Sequence, residues 1–174
     1  PRLGMSESQA SEKLEELARE GSIMRVRAGE QALYFAISFV VGIYEFHLNT
    51  IDRELSEYME EYFPYIAKVW ESVGTKQLRV VPIEASLHDD KTVGTYAQIR
   101  ELIKDKQLIA VAPCICTKEK AHMGEPCSRP VERCIQFDMA AQYYIENGLS
   151  REITRDELID LLKMGEEKAL VLSP

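Results

Sequence analysis

The sequence predicts an α+β fold, mainly helical, with a few short strands and one cysteine-rich site. Three observations carry this. Apolar residues recur at helical spacing near both ends of the chain. Two short alternating stretches flank a glycine turn close to the start. All four cysteines of the 174 residues lie between positions 114 and 134.

Residues 6–20 read as a helix. Ser6 or Ser8 can cap it, Ala10, Leu14, Leu17 and Ala18 form one apolar stripe, and Gly21 ends it. Residues 23–27 alternate as a strand, 28–31 supply a turn around Gly29, and 32–36 return as a second strand. A helix leading into a hairpin resembles the second half of a winged helix-turn-helix, with the first helix of that motif missing. The chain therefore divides into a winged-helix-like module over residues 1–40 and a helical, short-strand region over 41–174. The winged-helix likeness implies DNA binding, but charge argues against it. The would-be recognition helix carries Glu7, Glu12, Glu15, Glu16 and Glu20 against Lys13 and Arg19. A net charge of −8 repels phosphate as well.

Residues 42–70 are rich in helix formers, with Leu55, Met59, Tyr62, Phe63, Ile66 and Val69 as apolar positions. Pro64 breaks that run or opens a second helix. His47 beside Tyr44 and Phe46 reads as core packing rather than as a cofactor box. A linker containing Gly74 follows, then a strand over 78–83 and a helix with Tyr96, Ile99, Leu102 and Ile103 on its apolar face. Residues 107–112 fit a buried strand that runs directly into the cysteines. Pro130 opens a helix expected to reach Glu146 and stop at Asn147-Gly148. Thr154 and Glu157 form a capping box for a last helix carrying Leu158, Leu161, Leu162 and Met164.

The cysteines read Cys114-Ile-Cys116, ten residues, Cys127, six residues, Cys134. Four thiols in one window look like a complete ligand set for a single tetrahedral centre, an iron–sulfur cluster or a structural zinc. Cys114 and Cys116, two apart on an extended segment, would point to one side. Cys134 would fall in the second turn of the Pro130 helix, whose N-terminal partial charge favours thiolate. Zinc sites commonly pair cysteines at C-x₂₋₄-C, and the C-x-C here departs from that. His122 is a further ligand type in the window, but four thiols already close the shell and leave no open position for Lewis-acid catalysis. Lys118, Lys120, Arg129 and Arg133 against Glu119, Glu125 and Glu132 make the stretch locally positive. Disulfides would require an oxidising compartment. With neither an export signal nor a run of ~20 apolar residues, the expectation is a cytoplasmic protein without membrane insertion. Pro1 in the first position implies a segment upstream.

The motifs Ala112-Pro113-Cys114-Ile115-Cys116, Gly124-x-x-Cys127, Pro130-x-Glu132-x-Cys134 and Gly148-x-x-Arg151-x-Ile153 resemble a group of iron–sulfur proteins from anaerobic bacteria and archaea. The segment at residues 40–49 is similar to the same group. The resemblance implies a 4Fe–4S cluster on Cys114, Cys116, Cys127 and Cys134, and electron transfer with a protein redox partner or a ferredoxin domain. Thr117 stands where the group has arginine, and Ala169 where it has glycine. Members continue into a second cysteine-rich segment and a two-cluster ferredoxin domain, so the resemblance implies a chain continuing past Pro174. The alternatives are a redox-sensing regulator using cluster or zinc, and a zinc-stabilised interaction domain. Neither a Ser/His/Asp set nor a phosphate loop is found, so the expectation is a carrier or accessory subunit rather than an enzyme, able to act as an oligomer.

Overall fold

A computed structural model describes residues 4–74 and 103–170. The expected strand at 78–83 and nearly all of the helix around Tyr96–Ile103 lie outside the described residues. Within them the fold is α+β and mainly helical.

Helix α1 (Glu7–Arg19) begins as its sequence dictates. Ser6 accepts the Gln9 N–H while the Gln9 side chain returns to the Ser6 N–H, a reciprocal cap. Gly21 then takes φ +82 and lets the chain turn away. Strands β1 (Met24–Ala28) and β2 (Gln31–Phe35) pair antiparallel with Ala28 opposite Gln31, leaving Gly29-Glu30 as the two-residue turn. Gly29 supplies the positive φ such a turn requires. This helix and hairpin do not by themselves make a winged helix.

A short helix, α2 (Tyr44–Phe46), precedes α3 (Arg53–Ser72), which Asp52 caps by accepting the Leu55 N–H at 2.8 Å. Helix α3 runs through Pro64 without ending. The expected break is absent because Met59 and Phe63 hold the helix to the core across the proline's turn. Of its apolar positions, Tyr62 and Val69 face solvent. His47 bonds the Ile43 carbonyl at 2.8 Å, the satisfied packing role expected of it.

Strand β3 (Ile109–Pro113) is central in a second sheet of order β4-β3-β5, flanked antiparallel by β4 (Glu132–Phe137) and β5 (Arg151–Glu152). Helix α4 (Ile115–His122) follows β3 at once, α5 (Asp138–Glu146) follows β4, and α6 (Arg155–Glu167) ends the described chain. Thr154 accepts the Glu157 N–H as expected, but the Glu157 carboxylate pairs with Arg151 at 2.7 Å rather than returning to the cap.

Alternation along the sheet divides two cores. Ala112 and Cys134 lie on one side with Tyr44, Phe46, Leu48, Met59, Ile115 and Tyr143. Ile109, Val111, Ile135 and Phe137 lie on the other with Ile153, Leu158 and Leu162. The larger core takes in Ala18 of α1, and Tyr143 donates its hydroxyl to the Ala18 carbonyl at 2.6 Å. The first helix is thereby tied to α5. Among the described residues, no helix is long and apolar enough to cross a membrane.

Candidate metal centre

The cysteines are placed by β3, α4 and β4. Strand β3 is buried along almost its whole length, so each of its peptide groups needs a partner on both edges. Residues 132–137 meet that need on one side: Ala112 sits opposite Cys134 and Ile109 opposite Phe137. The expected helix from Pro130 is therefore corrected. Residues 132–137 form a strand, helix begins only at Asp138, and Cys134 lies mid-strand rather than in a helical turn. Pairing with a buried neighbour outweighs the local cue of Pro130.

A second correction concerns Cys114 and Cys116. The pairing register shifts between Ala112 and Pro113, where proline has no N–H to give the ladder. The chain leaves the sheet there, and Cys114 becomes the cap residue of α4 with its N–H bonded to the Val131 carbonyl at 2.8 Å. Cys116 falls in the first helical turn instead of on an extended segment. The helix N-terminus that favours thiolate is thus that of α4, beneath Cys114 and Cys116. His122 ends the same helix, a turn and a half past Cys116.

Cys114 is the hub. The thiols of Cys116 and Cys134 donate to its sulfur, and with the Thr117 N–H and the Arg133 guanidinium they hold it far below the ordinary thiol range. The same contacts with Cys114, added to burial, push Cys116 and Cys134 well up. Cys127, on the loop before β4, is held below the usual thiol value by the Arg129 N–H and then by Arg133. Arg133 lies 3.7 and 3.8 Å from the Cys127 sulfur through its two terminal nitrogens and also bonds Cys114. It links the fourth cysteine to the other three. Cys114 is buried, Cys127 and Cys134 are half-buried, and Cys116 is the exposed member.

The other cations of the window are committed elsewhere. Lys118 donates to the Leu48 carbonyl at 2.7 Å, Lys120 pairs with Glu60, and Arg129 bonds the Lys168 carbonyl. Local positive charge at the sulfurs therefore comes down to Arg133. Among the described residues, no three His, Cys, Asp or Glu side chains already stand in the arrangement of a metal shell. The donor chemistry nonetheless fits a thiophilic centre: Cys116 and Cys134 each neighbour Cys114, and Arg133 links Cys127 to Cys114.

The sequence reading missed Tyr44 and Glu119. The Tyr44 hydroxyl donates to the buried carboxyl of Glu119, one turn beyond Cys116, and burial followed by that carboxyl pushes the phenol above its usual range. Only recognition of a helix starting at Cys114 would have placed Glu119 near the thiols. No protein-family model matches this chain, and neither the curated proteins nor the solved structures contain a match to it.

Proposed function

We propose that this chain binds a 4Fe–4S cluster through Cys114, Cys116, Cys127 and Cys134 and passes electrons to or from a protein redox partner or a ferredoxin domain. The observation that carries the reading is the meeting of Cys114 with Cys116 and Cys134, with Arg133 joining Cys127 to them. Four thiolates would hold such a cluster, which supplies one-electron chemistry when bound. Arg133 offsets anionic charge at the sulfurs, the α4 N-terminus adds to that, and exposed Cys116 marks the side nearest a partner. A DNA-binding regulator is less well supported, because Arg25 of the hairpin is only 4% exposed and its two terminal nitrogens pair with Glu15 and Glu146 within the chain.

The test is anaerobic purification with iron supplied, followed by iron, sulfide and zinc analysis. Iron and sulfide in equal amounts, with broad absorption near ~400 nm, support the reading. Stoichiometric zinc without sulfide overturns it and leaves a zinc-stabilised interaction domain. Each single Cys→Ser variant at the four positions should lose metal and melt at lower temperature. Four variants with full metal content would mean that the cysteines share no centre.

A further inference from the structure

Helix α3 presents two apolar faces. Met59 and Phe63 pack into the larger core. Tyr58, Tyr62, Tyr65 and Val69 do not, and they are between 49 and 64% exposed. Their spacing of four, three and four residues makes one stripe along the helix. That is the period at which one helix seats against another.

The rings of the stripe are already set in place. Tyr62 meets Phe39 edge-on with centroids 5.6 Å apart, and stacks with Tyr65 at 6.4 Å. The Tyr58 hydroxyl donates to Glu54 at 3.2 Å. Exposed Phe39 extends the apolar surface toward the segment before α2. Along the other border, with the stripe as a and d positions of a heptad, Glu54, Glu61 and Lys68 take the flanking g positions. Both glutamates are exposed and border the tyrosines, while Lys68 stands beside Val69. Glu57 lies further out and engages Arg53 at 2.8 Å.

We propose that this face of α3 binds an amphipathic helix of another protein, one that carries lysine or arginine beside its apolar stripe. Apolar side chains of that helix fill the seam over the tyrosines, and its cations pair with Glu54 and Glu61. Tyrosine rings attract ammonium and guanidinium groups through their faces, and rings already held lose little freedom on binding. Charge selects this occupant over two others. A second copy brings the same glutamates and a net charge of −8 to the contact. An anionic lipid surface meets carboxylates where it needs lysines. The proposal is independent of which metal the cysteines hold.

The experiment measures binding of two labelled synthetic helices to the full chain by fluorescence anisotropy. Each is about three heptads long with leucine at a and d, one having lysine at e and g and the other glutamate. The lysine helix should bind roughly ten-fold or more tighter than the glutamate helix. Tyr62→Ser with Tyr65→Ser, both at exposed positions, should weaken the lysine helix roughly ten-fold, since aromatic anchors dominate such contacts. Glu54→Lys with Glu61→Lys should reverse the preference between the two helices. Equal binding of the two helices, or of the lysine helix to the chain with and without the serine substitutions, overturns the proposal. If the serine variant does not fold, an unreversed preference in the charge-swapped variant overturns it alone. Three further results name a different occupant and also overturn it. Sedimentation shows a dimer that the serine substitutions dissociate; phosphatidylglycerol vesicles bind the chain until those substitutions are made; or Tyr58 and Tyr65 resist nitration in the free chain, which covers its own stripe.

Discussion

Arg25 on β1 reaches across 121 positions of sequence to Glu146 on α5, with 2.5 Å between its guanidinium and the carboxylate. The same guanidinium holds Glu15 of α1, and Arg27 adds a contact to Glu146 at 3.2 Å. One buried side chain thus joins α1, the hairpin and α5.

Replacing Arg25 by alanine strands two partly buried carboxylates. Removing one partner of a buried pair costs about 3–5 kcal/mol, because the remaining charges lose both water and partner. Burial works against the charged form of Glu15, but the Tyr34 hydroxyl and Arg25 leave its carboxyl below the ordinary value. Glu146 is likewise lowered, Arg25 and Gln142 outweighing burial. Groups with depressed folded values stabilise above their unfolded values and lose that contribution as pH falls through the folded ones. Chemical denaturation from neutral to acid pH should show Arg25→Ala weaker at neutrality, with a shallower acid loss than the unmodified chain. Equal stability of the two at neutral pH would refute this account of the junction.

Arg133 should control the reactivity of Cys127. In metal-free protein, Arg133→Met removes the cation beside that sulfur while the Arg129 N–H remains, so the Cys127 thiol should titrate higher. Alkylation of Cys127 at neutral pH, located by mass spectrometry, is expected to slow roughly two- to ten-fold, since thiolate is the attacking form. Arg133→Lys should recover part of the rate. Unchanged alkylation in both variants would detach Arg133 from the site.

Gly21 and Gly29 both take positive φ, but they should respond differently to alanine. A Cβ on Gly21 would stand 2.9 Å from the Phe46 Cβ, whereas one on Gly29 would meet nothing within 4 Å. Gly29→Ala should cost about 1 kcal/mol for the left-handed conformation alone. Gly21→Ala adds a clash against the core and should cost roughly 2–3 kcal/mol. Urea melts of the two variants check the order, and equal losses would show that α1 can shift away from Phe46.

Features written in neighbouring residues were legible without the fold. Ser6 ahead of α1, Thr154 ahead of α6, Gly29 in its turn and the apolar run of β3 are local signals. Their hydrogen bonds close within a few positions, and each element appears where its residues place it. The gathering of four thiols in one window is likewise a property of the sequence. What the chain does between Pro113 and Asp138 was decided by tertiary pairing. Buried β3 leaves peptide groups that need an edge partner, and residues 132–137 supply it as strand despite Pro130. That pairing carries Cys134 to Ala112, starts α4 at Cys114 and brings Glu119 one turn past Cys116. Arg133, one of four cations in its window, became the one at the sulfurs because Lys118, Lys120 and Arg129 found partners far along the chain. Arg25 and Glu146 are further apart still. Contacts of that range depend on how whole elements stack, which no local pattern encodes.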